Sequence, residues 1–153
     1  MAAARRPEFY EAMAVPDTTP GRFELICAHV ALVIRRLRAE GSRLGDDLAQ
    51  ATFDAMFADM DVTLREMGIG DMTVGKRVKK LWEGFHGRAE AYAAALAAAD
   101  DSALAEALTR NIWAKEPPPP GAALAVGRRL AEADAILAAQ PIEDLVRGEA
   151  RFA

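Results

Sequence analysis

Leu64-Arg65-Glu66-Met67-Gly68-Ile69-Gly70-Asp71-Met72-Thr73-Val74-Gly75-Lys76-Arg77-Val78-Lys79-Lys80 closes one apolar-striped segment, turns through two glycines and opens another segment whose first turns are densely basic. Gly68 and Gly70 allow the chain to reverse, and Asp71 or Thr73 can start the next helix. The stretch therefore reads as the hinge of a helical hairpin that fixes the angle between two core helices and presents lysines beyond the turn.

The helices on either side carry the same signal. Upstream, Asp46 or Asp47 can cap a helix reaching Met67, with Ala49, Phe53, Met56, Phe57, Met60, Leu64 and Met67 as its stripe. A weaker apolar line through Leu48, Ala51, Ala55 and Val62 predicts packing against two neighbours and a central position. Downstream, with Thr73 as cap, Val74, Val78, Leu81, Trp82, Phe85, Ala89, Tyr92 and Leu96 keep helical register to about residue 98.

Working outward, residues 22–40 place Phe23, Ile26, Val30, Val33, Ile34 and Leu37 at helical spacing, and Gly41 stops that helix. A short helix over 7–15 precedes it, with Pro7 in its first turn. After the hairpin, Asp100, Asp101 or Ser102 caps a helix containing Leu104, Leu108 and Ile112, which must end before Pro117. The prolines at 117–120 read as a semi-rigid spacer. Beyond them, residues 122–139 form a last long helix with Val126, Leu130, Ala133 and Leu137 inward, and 141–146 add one turn before a frayed end. The expectation is an all-α chain, a single compact bundle of about five to seven helices with a proline-rich spacer before the last long one.

Composition agrees. The 153 residues suit one domain, which at this size buries roughly 68–70% of its unfolded surface. Alternating Val, Ile, Thr and Tyr runs are absent, so strands are not expected. The single cysteine, Cys27, rules out an internal disulfide and predicts a reducing compartment. A formal charge of -4 and a pI of about 5.2 disfavour nucleic acid as partner. The uncharged run 25–34 is too short to cross a bilayer, which takes about 20 residues. No apolar stretch follows Arg5 and Arg6 as a signal peptide would require. A cytoplasmic protein, soluble or peripheral, is the expectation.

Several constellations carry side chains capable of chemistry or binding. Lys76, Lys79 and Lys80 lie opposite the apolar stripe of their helix. Arg77 and Arg88 flank it, with Gly84 between them; Gly84 and Gly87 are costly in a helix and suggest close approach of another backbone. Asp61 and Arg65 pair at i, i+4. An EF-hand starting at Asp59 is excluded because Leu64 occupies the required glycine position. His29, on the line Arg22, His29, Arg36, reads as a half-buried residue bonded to a neighbouring helix, and His86 has no histidine at i+4. No nucleophile motif and no phosphate loop is present. These residues predict no catalytic site, no metal site and no cofactor, and a protein that works by binding.

The hinge, with Val15-Pro16-Asp17 and Gly21-Arg22-Phe23 before it and Gly87-Arg88-Ala89-Glu90-Ala91-Tyr92 after it, resembles the ubiquinol-cytochrome c chaperone family. The shared motif positions are Asp17, Gly21, Phe23, Asp61, Leu64, Arg65, Glu66, Gly68, Gly70, Asp71, Gly87 and Tyr92, with Gly75 and His86 departing from the usual proline and tyrosine. The resemblance runs over 9–96; the helices at 101–115 and 122–146 stand as additions to that core. It implies a non-enzymatic chaperone that binds newly made cytochrome b and supports assembly of the respiratory cytochrome bc complex. Mitochondrial relatives act beside the ribosomal tunnel exit with a small assembly partner, whereas this chain resembles the short bacterial form. In that setting Arg22, His29, Arg36, Lys76, Arg77, Lys79, Lys80 and Arg88 become candidate contacts for acidic loops of cytochrome b or an anionic membrane surface. The alternative is a helical lipid- or quinone-binding protein at the inner membrane surface. Its mark would be an apolar cavity among Phe53, Phe57, Met60, Trp82 and Phe85.

Overall fold

The computed structural model describes residues 2–66, 68 and 70–152; the side chains of Asp71, Met72 and Arg77 lie outside that description, as do Met67 and Ile69 of the hinge. Among the described residues there are a 3-10 turn, Ala3–Arg5, and seven helices: α1 Pro7–Glu11, α2 Thr19–Ala39, α3 Arg43–Glu66, α4 Asp71–Ala97, α5 Asp101–Ile112, α6 Ala122–Ala139 and α7 Ile142–Val146. The all-helical expectation holds, and no strand occurs among these residues.

The central element is α2, not α3. It packs against α3, α4, α5, α6 and the 3-10 turn. The reason lies in its sequence, Leu25-Ile26-Cys27-Ala28-His29-Val30-Ala31-Leu32, where small and apolar residues run all the way round. Leu25, Cys27, Ala28, Ala31 and Leu32 are all buried, whereas Phe23, Ile26, Val30 and Val33 of the expected stripe are only partly covered. On α3 the stripe from Ala49 to Phe57 is buried, but Ala51, Ala55 and Val62 of the second line face outward. Its two neighbours, α2 and α4, are therefore met through one stripe.

Start signals moved by a few residues. The Ser42 hydroxyl accepts from the Gly45 N–H at 3.1 Å, so α3 starts three residues ahead of Asp46. Gly70, in extended backbone, precedes α4, which opens at Asp71 rather than after Thr73. Gly68 at φ 79° makes the turn after α3, a left-handed conformation that glycine adopts without a Cβ penalty. The Thr18 side chain accepts from the Gly21 N–H and sets the start of α2. Asp100 does the same for α5 through the Ala103 N–H at 2.9 Å, and α6 spans 122–139 as expected.

The described residues near both ends are tied down. Ala4 is buried, and the Tyr10 hydroxyl donates to its carbonyl. The tail expected to fray is held by Gln140, whose side chain donates to the Glu149 carbonyl and accepts from the Arg151 N–H, while Arg151 pairs with Asp144 at 2.9 Å. Phe152 then lies 5.3 Å from the His29 ring. The proline run does not hold α6 away. A turn at Pro119 to Ala122 and Gly121 at φ 82° bring α6 back onto α5 and α2.

Candidate functional site: an apolar groove beside a buried ion pair

The first half of α2, the second half of α3 and Leu81 of α4 enclose an open groove of about 650 Å³. Its walls are Phe23 and Ile26 on α2 and Met56, Met60 and Leu64 on α3, with Arg5, Arg22 and Asp59 at the rim. The spacing of Met56, Met60 and Leu64 puts one row of α3 along the groove. This row belongs to the stripe read from sequence as core. It is covered near Phe53 and Phe57, and it opens toward the hinge, where Met60 and Leu64 are only partly buried. A groove lined by methionines adapts to the shape of an apolar partner because the thioether is flexible and polarizable.

Entry into α2 is set by two of the motif residues. Gly21 sits against the loop at Pro16, where a Cβ would run into the Pro16 carbonyl oxygen. Asp17 accepts from Arg22 Nε at 2.5 Å, and that bond holds the Asp17 carboxyl below the usual carboxylate range. Together these contacts aim Phe23 into the groove wall. Asp61 and Arg65 pair at 2.6 Å on the outer face of α3, as the i, i+4 spacing predicts.

Behind the groove lies a polar network that sequence reading missed. Glu24, one of the wall residues, is buried and pairs with Arg88 of α4 at 2.9 Å. Arg88 Nε donates to Asn111 Oδ1 of α5 at 3.2 Å; Asn111 Nδ2 in turn donates to the Tyr92 hydroxyl at 3.0 Å and the Ala107 carbonyl at 2.8 Å. Burial raises the Glu24 carboxyl from its ordinary 4.5 to about 7, with Arg88 pulling the other way. The Tyr92 hydroxyl is likewise pushed up by burial. Gly84 serves this network: a Cβ there would stand 3.1 Å from Arg88 Nη1, so the glycine makes room for a side chain of its own helix. Gly87 has open space around it. Close approach of another backbone explains neither glycine.

The eight candidate contact residues do not form one surface. Lys76, Lys79 and Lys80 are exposed on α4, with Lys79 3.9 Å from Glu83. Arg22 is at the groove rim, and the side chain of Arg77 lies outside the described residues. Arg36 instead donates to the Leu137 and Gln140 carbonyls at the end of α6, a cation at a helix C-terminus. Arg88 is committed to Glu24 and Asn111. His29 is almost fully buried, and its Nδ1 donates to the Leu25 carbonyl of its own helix at 2.7 Å, not to a neighbouring helix. Desolvation lowers its proton affinity, and it stands edge-on to Phe9 at 5.6 Å.

Trp82 departs from its expected inward position and is 45% exposed. Phe53, Phe57 and Phe85 pack ring against ring between α3 and α4, with centroids 4.7–6.1 Å apart. Those rings fill the space that the alternative reading assigns to a quinone or lipid cavity, and of its five named residues only Met60 lines the groove. Cys27 is buried and its thiol pushed far up by desolvation. Among the described residues no three His, Cys, Asp or Glu side chains gather as metal ligands would.

The sequence and the fold match known proteins. The family model of ubiquinol-cytochrome C chaperones matches residues 11–152, a span that takes in α5, α6 and α7 as well as the motif-bearing stretch. Ubiquinol-cytochrome-c reductase complex assembly factor 1 of Xenopus laevis is 29% identical over 109 residues, which are 71% of this chain and 54% of that protein. The chain thus spans about half the length of that curated relative. The crystal structure of the Cbp3 homolog from Brucella abortus superimposes with a TM-score of 0.87 at 41% identity, covering 99% of this chain and 83% of that one. The chain belongs to the ubiquinol-cytochrome c chaperone family.

Proposed function

We propose that this chain is a non-enzymatic assembly chaperone that binds newly made cytochrome b and supports biogenesis of the cytochrome bc complex. The observation that carries the reading is the open, methionine-lined groove between α2 and α3. Its volume is in the range of real binding sites, and its row of Met56, Met60 and Leu64 suits the apolar face of a helix. A newly made membrane segment needs its apolar surface covered until its own neighbours arrive. A groove of this kind can cover part of one helix without chemistry.

The charges have a separate role in this reading. Arg22 at the rim and Lys76, Arg77, Lys79 and Lys80 on α4 attract acidic loops of the client or anionic headgroups at the cytoplasmic face of the inner membrane. Each lysine or arginine near such a surface contributes about 1 kcal/mol. Trp82, exposed beside Lys79, supplies an amphipathic ring of the kind that favours a membrane–water boundary. No helix among the described residues is long and apolar enough to cross a membrane, so attachment in this reading is peripheral. His29, Arg36 and Arg88 act indirectly, by holding the helices that carry the groove.

The test is affinity purification of the chain from its native membrane with pulse-labelled translation products, alongside Lys79→Glu/Lys80→Glu. Newly made cytochrome b is expected with the wild-type chain, and weaker membrane recovery with the charge reversal. Normal assembly of the bc complex in a strain lacking the gene would overturn the chaperone reading. Unchanged sedimentation of the charge-reversed chain with anionic vesicles, and unchanged cross-linking to cytochrome b, would remove the role of the lysines.

A further inference from the structure

Nothing about fold stability asks for the Glu24–Arg88 pair. A buried ion pair stabilises no better than apolar side chains of the same volume, and often less. This one is also incomplete: Glu24 Oε2 and Arg88 Nη1 are buried and have no hydrogen-bond partner. It is nevertheless built with care. Arg88 lies across the bare backbone at Gly84, and its Nε is anchored by Asn111, which is itself held by Tyr92. The Glu24 side chain, only 9% exposed, is part of the groove wall. Of the charged wall residues, Arg5, Arg22 and Asp59 are exposed and Glu24 alone is buried.

We propose that Glu24, held from behind by Arg88, is a polar recognition point in the groove wall, which receives a carboxamide or hydroxyl side chain projecting from an otherwise apolar client helix. This rests on the groove being the client site and specifies what the groove selects. The unpaired carboxylate oxygen calls for a donor, which the neutral side chains of Asn, Gln, Ser and Thr supply. Neutrality matters because Glu24 and Arg88 already balance each other. A further ionised group would leave a net charge away from water. The Glu24 oxygen is enclosed in the free chain, so the carboxylate turns about its own side-chain bonds to meet the incoming group. Membrane helices use such polar residues to bond one another once assembled. Before assembly the same residue is an unsatisfied group in an apolar segment, and the pair offers it a temporary partner.

The experiment uses the full chain and two synthetic amphipathic helices that differ only at the centre of the apolar face, one with Asn and one with Leu. Fluorescence anisotropy gives the Kd of each for wild type, for Glu24→Leu/Arg88→Met and for Leu81→Asp, which places a charge in the groove. The double substitution removes both charges together, and Glu24→Gln serves as a gentler second variant whose fold is checked by circular dichroism. The expected result is an Asn-to-Leu affinity ratio about tenfold higher for wild type than for the double variant, with an intermediate ratio for Glu24→Gln. Leu81→Asp weakens both peptides. Equal ratios in wild type and both variants, with Leu81→Asp still weakening binding, overturn the polar recognition point and leave the groove standing. Failure of both peptides to bind, or binding indifferent to Leu81→Asp, overturns the groove as client site and this proposal with it.

Discussion

Removing Arg88 exposes the physics of the site most sharply. In Arg88→Met the long apolar stem is kept and the charge is lost, so Glu24 stays buried without its cation at 2.9 Å. Breaking a buried pair on one side costs about 3–5 kcal/mol. Because Arg88 is 20% exposed, the lower end applies, ~3 kcal/mol. For a chain of this length that lowers Tm by about 6–12 °C. The pH dependence is more diagnostic. In the wild type the folded carboxyl titrates at about 7 against an ordinary 4.5. Between those values the folded state holds a proton that the unfolded state has released. Stability is therefore highest below 4.5 and falls as pH rises toward 7, by ~3 kcal/mol in all. Without Arg88 the folded value moves higher still, so the fall continues past pH 7, at up to about 1.4 kcal/mol per pH unit. Urea unfolding followed by circular dichroism at pH 5, 6, 7 and 8 measures both profiles. Adding Glu24→Gln to Arg88→Met is expected to flatten the difference. Parallel profiles for wild type and Arg88→Met, or no flattening by Glu24→Gln, would refute the buried-pair reasoning.

Other expectations follow from the same contacts. Gly21→Ala drives a Cβ into the Pro16 carbonyl; overpacking less a small gain in helix propensity gives a net loss of about 1–2 kcal/mol in urea unfolding. Gly87→Ala meets open space in the middle of α4 and is expected to raise stability by up to about 1 kcal/mol; a loss there would show an unseen contact. Trp113, buried with its indole N–H donating to the Ala14 carbonyl at 3.0 Å, ties α5 to the first loop. Trp113→Ala is expected to cost about 3–5 kcal/mol in urea unfolding. Cys27 should react with a thiol reagent only as fast as the chain opens, since its thiol is buried and its ionisation suppressed; rapid labelling of the folded chain would contradict its position in the core.

What could be read from sequence depended on how local the signal was. The α6 bounds and the α5 cap come from Asp100, Gly121 and the prolines, residues whose backbone preferences act over a single turn. The hairpin at Gly68 and Gly70 was legible for the same reason. The central place of α2 was not, because its buried positions include Cys27, Ala28, His29 and Ala31, residues that a search for large apolar stripes passes over. The groove was hidden by the opposite effect. Met60 and Leu64 sit in register with Phe53 and Phe57, and periodicity cannot distinguish a stripe that is covered from one that a neighbouring helix leaves open. Pairs such as Glu24 with Arg88 and Arg35 with Asp134 join distant parts of the chain and exist only once the helices are assembled. That is why Arg88 read as a surface cation and Gly84 as a place for another backbone.

Complementation by a groove variant bears on the whole account at once. Met60→Asp puts a charge on a partly buried wall position that leaves the Phe53 and Phe85 cluster intact. Its fold is monitored by the helical circular dichroism signal and by its Tm. Expressed in a strain that lacks the gene, the folded Met60→Asp chain should fail to restore the level of assembled bc complex measured by haem b absorbance, and newly made cytochrome b should no longer co-purify with it. Full restoration with cytochrome b still bound would contradict the groove as the proposed client site.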